Sequence, residues 1–145
     1  MNNLAVIQSI QKELDEVEKR RELLSTPEGL AEADKEMTSL LNAFVMAGYT
    51  LPKVQSFRQL ASFWRVGLCE EIALYGMPLL KKAAFEFIKE DQREYRACPT
   101  IADIKAMCMK MGKNPRAEMA RYKQAERERR LEAQWDRERM EKARK

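Results

Sequence analysis

The chain has 145 residues, of which 34% are charged and 45% hydrophobic, and its formal net charge is +4. This balance excludes a disordered chain of low hydrophobicity, and no apolar run approaches the ~20 residues that span a bilayer. Five glycines and five prolines are too few for the turns of a β-rich fold. We therefore expect an all-α protein, with a small bundle of about five helices followed by a long charged C-terminal helix.

Residues 1–50 predict an N-terminal pair of helices. Apolar side chains recur every three or four residues over 3–24, at Ile7, Ile10, Leu14, Val17 and Leu24. This short seam suits either a bundle helix or a coiled-coil contact between two chains, so we expect a monomer or a homodimer. Two start signals are open for the second helix: Ser25 as N-cap, or Thr26 as N-cap with Pro27 in the first position.

Residues 51–112 predict a three-helix scaffold. The residues that cap or fill it share start-signal chemistry or apolar helical spacing, and they are Ser56, Trp64, Leu68, Phe87, Ile88, Pro99, Thr100, Asp103 and Ile104. The first of these helices is expected to run unbroken from 56 to 75. Its apolar pattern also places Cys69 among buried residues.

Residues 113–145 differ from the rest of the chain in charge. They hold 12 Lys/Arg and 7 Asp/Glu, whereas the other 112 residues hold 15 and 16. Asn114 and Pro115 form a helix start signal, and no glycine or proline follows, so the spacing predicts one continuous helix. A basic segment of this kind is typical of an interaction tail for nucleic acid or for an acidic protein surface.

Catalytic chemistry finds little support in the sequence. No histidine is present, which excludes nucleophiles activated by histidine and the common zinc hydrolase sites, and the five glycines stand apart, which excludes phosphate-binding glycine loops. The neighbouring carboxylates Glu70–Glu71 and Glu90–Asp91 point about 100° apart on a helix, as solvent-facing charge does. We expect no enzyme activity, no catalytic residues, no metal and no cofactor.

The order of residues in the centre of the chain carries a family resemblance. Trp64 and Leu68 form a Trp-x3-Leu stripe, a later helix ends on Phe87-Ile88, and 99–104 reads Pro-Thr-Ile-Ala-Asp-Ile. Over roughly 57–108 this pattern resembles the phage replicative-helicase loader/inhibitor family, small helical proteins without an ATPase core. The resemblance implies a cytoplasmic phage or prophage protein in a bacterial host cell. It also implies that the protein binds a hexameric replicative helicase and loads or inhibits it during DNA replication.

In that family the C-terminal segment is the part associated with gripping the helicase. The matching segment here offers aromatic, apolar and arginine side chains of the kind found at binding hot spots, and we predict partner contacts at Arg127, Arg130, Leu131, Trp135 and Arg137. Two alternatives stay open. In the first, the protein is a basic helical accessory protein that contacts nucleic acid without sequence preference. In the second, it is a phage inhibitor of another host machine, such as a defence nuclease.

Overall fold

The computed structural model describes residues 3–53 and 56–144, which form seven helices. The helices are α1 Asn3–Leu23, α2 Pro27–Met46, α3 Phe57–Gly67, α4 Cys69–Tyr75, α5 Met77–Glu90, α6 Ile101–Met111 and α7 Pro115–Arg144. Within the described ranges the only β interaction is one isolated parallel bridge between Thr50 and Ala97. The expected all-α class, with a long charged C-terminal helix, is confirmed.

Local side-chain chemistry sets where the helices begin. Of the two open signals for α2, the structure uses Thr26, whose Oγ1 accepts the Gly29 N–H at 3.1 Å. Ser56 caps α3 by accepting the Gln59 N–H at 3.1 Å. At α6 the bond is reciprocal, because Thr100 Oγ1 accepts from the Asp103 N–H while the Asp103 carboxylate accepts from the Thr100 N–H. These bonds satisfy donors that no helical carbonyl can reach.

The helix predicted over 56–75 is two helices, so that expectation was wrong. α3 ends at Gly67, and Leu68 lies between the helices with φ −106° and ψ 10°. A Cβ on Gly67 would lie 2.5 Å from Ile101 Cδ1, so the start of α6 approaches the backbone at the position where a side chain is missing. Because glycine also lowers helix propensity, the chain bends there. Cys69, the first residue of α4, is exposed, against its expected burial, because it lies about 100° around the helix from the buried Leu68.

Residues Asp15–Asn114 form the larger of two compact units. Its six largest fully buried side chains are Met37, Leu41, Phe44, Leu68, Leu80 and Ile104. Trp64 packs beside Phe44 with ring centroids 5.8 Å apart. α2 packs against α3, and α5 packs against α4 and α6. Each such side chain contributes roughly 1.5–3 kcal/mol of transfer free energy, so this core accounts for most of the unit's stability.

An arginine holds the end of α1 to α4. Arg20 Nε donates to the carbonyl oxygen of Ala73 at 2.8 Å, and its Nη2 donates to that of Leu74 at 3.2 Å. These carbonyls lie in the last turn of α4, where no backbone N–H further along the helix can reach them. The guanidinium also meets the negative end of the helix dipole, so the contact fixes α1 by charge as well as by hydrogen bonds.

The second compact unit comprises Met1–Leu14 and Pro115–Lys145. Ile10, Pro115 and Met119 are its buried side chains among the described residues. This unit is otherwise poor in buried surface. The predicted segment boundaries at 50 and 112 stay a prediction.

Candidate partner-binding helix

Helix α7 is buried only near its start. Pro115 occupies the first position, where its missing N–H has no helical partner to lose. Pro115 and Met119 are buried, and Tyr122 and Glu126 are partly buried. The helix has 30 residues, and at ~1.5 Å per residue it extends about 45 Å. Packing therefore stabilises only its first turns.

From Arg127 to Arg144 every residue of α7 is exposed. The exposed residues include Leu131 at 46% and Trp135 at 53%. This exposed stretch of the helix receives no stabilisation from tertiary packing, which is the main source of helix stability in proteins. Apolar side chains on this stretch are in contact with water, and burying them against a partner would lower the free energy.

The five predicted partner residues lie on two sides of α7. Arg127, Leu131 and Trp135 follow one another at four-residue spacing and occupy one strip about 80° wide; we call this strip the anchor face. It lies roughly opposite the side that carries Met119 and Tyr122 near the start of the helix. The inward packing of α7 therefore does not use the anchor face.

Arg130 and Arg137 lie elsewhere on the helix surface. Arg130 is about 100° from Leu131, and Arg137 is about 160° from Trp135 around the axis. The two arginines share their own strip, since seven residues make almost two full turns. The structure thus brings together three of the five predicted residues and places the other two on a separate side.

Side-chain interactions along the outer part of α7 stay within the helix. Asp136 and Arg139 approach to 4.0 Å, and Gln134 donates to Glu138 at 3.3 Å. Contacts of this kind on an exposed helix contribute a few tenths of a kcal/mol each, so they support the helix without closing its surface.

The predicted core and capping residues all belong to the larger unit. Ser56, Thr100 and Asp103 cap helices, as described above. Trp64, Leu68, Pro99 and Ile104 are buried, and Phe87 and Ile88 are partly buried against the core. These residues hold the fold together, and two of them, Phe87 and Asp103, also line an open cavity of about 710 Å³.

The sequence did not predict a cluster of polar side chains around Tyr49. The Tyr49 hydroxyl donates to Asp91 Oδ2 at 2.7 Å, and Arg93 donates from Nε and Nη2 to the two Asp91 oxygens at 2.9 Å each. Arg96 lies over the Tyr49 ring at 5.2 Å and donates to the Ala47 carbonyl. Tyr49 and Asp91 are 42 residues apart, so no local pattern predicts the contact.

This cluster shifts two pKa values. The Arg93 guanidinium, followed by the Tyr49 hydroxyl, holds the pKa of Asp91 well below its ordinary value. Burial, together with the hydrogen bond to Asp91, raises the pKa of Tyr49 to about 12. Both groups therefore keep one protonation state through the physiological range, which suits a structural role and not proton transfer.

The neighbouring carboxylates in the central helices each have a basic partner. Glu70 pairs with Arg21 at 2.8 Å, and Glu71 lies 3.7 Å from Lys105. Glu90 pairs with Lys110 at 3.2 Å, and Asp91 belongs to the cluster around Tyr49. Over residues 3–53 and 56–144, no group of three or more His, Cys, Asp or Glu side chains is placed to hold a metal ion.

Comparison with protein-family models, with curated proteins and with solved structures returned no significant match. In the part of the chain that the structure describes, no helix is long and apolar enough to cross a membrane.

Proposed function

We propose that the protein is a non-catalytic adaptor that binds another protein through the anchor face of α7. The observation that carries the proposal is the exposed pair Leu131 and Trp135, four residues apart on a helix that lacks packing of its own along that stretch. The partner we propose is a hexameric replicative DNA helicase, which the protein loads or inhibits. That choice rests on the central resemblance to the phage loader/inhibitor family.

The chemistry of the anchor face suits a protein partner. A tryptophan buries ~150–250 Å² when it is covered, and tryptophan and arginine are the residues most enriched among binding hot spots. Arg127 lies one turn before Leu131 and offers a planar guanidinium for a carboxylate on the partner. A short apolar strip with a charged end is the form in which amphipathic helices enter grooves on other proteins.

The arrangement of the ionisable groups supports a role without catalysis. The neighbouring carboxylates of the central helices each have a basic partner, as described above, although one oxygen of Glu71, Oε2, is buried without a hydrogen bond. Burial raises the pKa of the Cys98 thiol, and it raises the pKa of Cys108 to about 11. Neither thiol is then an activated nucleophile at neutral pH, because the thiolate is the reactive form.

The direct experiment is co-elution with a purified hexameric replicative helicase from a bacterial host on size-exclusion chromatography, with light scattering for the mass. We expect a stable complex in the presence or absence of ATP. Absence of co-elution both with and without ATP would contradict the assignment of the helicase as the partner.

A matched pair of variants tests the anchor face itself. Trp135→Ala removes the large side chain on that face, and we expect about 2 kcal/mol or more of lost affinity, or ~30-fold in Kd. Met140→Ala is the control, because Met140 is also an exposed apolar side chain but lies about 140° from Trp135 around the helix. Equal losses in the two variants would contradict the assignment of the anchor face.

Unwinding of a forked DNA by the helicase separates the two modes of action. A loader raises the rate at which helicase engages the DNA, whereas an inhibitor lowers unwinding by helicase that is already engaged. The Trp135→Ala variant should abolish whichever effect the native chain has. An effect that persists unchanged in this variant would place the active surface outside α7.

A further inference from the structure

Four basic residues of α7 recur at an interval of seven residues. They are Lys123, Arg130, Arg137 and Arg144, and all four are exposed. Because α7 is a continuous helix, the interval corresponds to about 10.5 Å along the axis, and the set extends about 32 Å. Seven residues fall about 20° short of two turns, so the four side chains form a single row that winds slowly around the helix. We call this set the basic row.

The basic row is distinct from the anchor face. Arg130 lies about 140° from Trp135, and Arg137 lies about 160° from it. The one polar contact that the row makes within the described residues is a long one from Arg137 Nε to the Ala133 carbonyl, at 3.4 Å in its own helix. A partner on the anchor face would therefore leave most of the row accessible.

The charge of α7 is segregated around its axis. The helix carries seven carboxylates, and only Glu126 and Glu141 fall within the third of the circumference that holds the basic row. The other five carboxylates lie outside that third. The net positive charge of the helix is thus concentrated along one side, as in proteins that follow a charged polymer.

We propose that the basic row binds the phosphate backbone of a nucleic acid. Met119 lies on the same side of the helix but is buried near its start, and beyond Glu126 the third of the circumference that holds the row carries one apolar residue, Ala133. Protein interfaces need an apolar centre that excludes water, whereas phosphate contacts need only charge and hydrogen-bond donors. Three of its four members are arginines, whose planar fork matches phosphate oxygens in two parallel bonds. Regular spacing over about 32 Å suits a ligand whose charge is continuous along its length.

This inference goes beyond the proposed adaptor function and does not depend on it. Each phosphate neutralised releases counterions, so the logarithm of the binding constant should fall with the logarithm of salt with a slope near −0.9 per contact on duplex DNA and near −0.7 on single strands. A row of four contacts predicts slopes of about −3.6 and −2.8. Binding should be indifferent to base sequence, because phosphates carry no sequence information.

The test measures anisotropy of labelled single-stranded and duplex oligonucleotides with the full chain between ~50 and ~200 mM salt. The row variant combines Lys123→Gln, Arg130→Gln and Arg137→Gln. The control combines Arg121→Gln, Arg129→Gln and Arg139→Gln, which removes the same charge from other sides of the same helix. We expect the row variant to flatten the salt slope by about 2–3 and the control by less than about 1.

Three outcomes overturn the proposal. They are no binding at ~50 mM salt, equal losses in the two triple variants, or binding of polyglutamate as tight as that of DNA, which would indicate an acidic protein surface instead. Far-UV circular dichroism reports whether each variant keeps its helix. Where the row variant loses helix, Arg137→Gln is compared with Arg139→Gln instead. A salt slope flattened by about 0.7–0.9 in the first variant and unchanged in the second supports the row, and equal slopes overturn it.

Discussion

The two tryptophans of the chain differ in their surroundings. Trp64 lies in the unit Asp15–Asn114, is 3% exposed and packs beside Phe44. Trp135 lies in α7 and is 53% exposed. Burial of the Trp64 ring contributes to the free energy of folding. The Trp135 ring is exposed, so it makes no such contribution within this chain. The comparison indicates that the larger unit stabilises the fold, whereas the outer part of α7 keeps its large apolar side chains available for the partner that we propose.

The largest expected effect comes from exchanging the two tryptophans for alanine in turn. Trp64→Ala should lower the free energy of unfolding by about 3–5 kcal/mol, because it removes a buried ring and leaves a cavity. Trp135→Ala should change it by less than about 0.5 kcal/mol, as exposed substitutions usually do. Urea denaturation followed by circular dichroism measures both. Similar losses in the two variants would remove the distinction between the regions.

The connection between α1 and α2 offers the next test, at Gly29. A Cβ at this position would overlap the carbonyl oxygen of Leu23, and that oxygen belongs to backbone that cannot rotate away. Gly29→Ala should therefore cost about 1–3 kcal/mol of stability through overpacking. Glu32→Ala, on an exposed position of the same helix, is the control and should stay within about 0.5 kcal/mol. A neutral Gly29→Ala would mean that the connection is loose.

Helix capping at α6 should have a smaller effect. Thr100→Ala removes the acceptor for the Asp103 N–H and half of the reciprocal capping box, at a cost of about 1 kcal/mol. Thr38→Ala is a suitable control, because the Thr38 hydroxyl only donates to the Asp34 carbonyl inside α2. Thermal unfolding measures both variants. We expect the larger loss of stability in Thr100→Ala, and equal losses would contradict the role of the cap.

The cluster around Tyr49 predicts a dependence on pH. Hydrogen bonds from Arg93 and Tyr49 lower the pKa of Asp91, so the folded chain keeps this carboxylate charged where the unfolded chain is protonated. The resulting stabilisation is complete above the unfolded pKa of ~3.9 and is lost as the pH falls further toward the folded value. Asp91→Asn should be destabilised at neutral pH, and its difference from the native chain should shrink below pH ~4. Melting temperatures across this range measure it, and a difference that stays constant with pH would contradict the role of the charge.

Features that depend on neighbouring residues in sequence were open to prediction. The starts of α2, α3, α6 and α7 carry N-cap residues or proline, and these signals act over three or four residues. The anchor face and the basic row were also visible as spacings of four and seven once a continuous helix was assumed. The charge difference between residues 113–145 and the rest needed no structure at all.

Features that depend on distant contacts were not open to prediction. The break after Gly67 reflects the approach of Ile101, 34 positions later in the sequence. No local pattern singles out Arg20, because the carbonyls it binds are 53 and 54 residues away. In each case the deciding group lies too far along the chain for periodicity or capping to report it.

The different burial of the three cysteines has a consequence for thiol chemistry. Cys69 is exposed, while Cys98 is partly buried and Cys108 fully buried. Burial also raises the pKa of the latter two thiols, which lowers their thiolate fraction at neutral pH. A maleimide added to the native chain should therefore mark the start of α4 first, and a fluorophore placed there without mutagenesis would report the opening of the core beneath it.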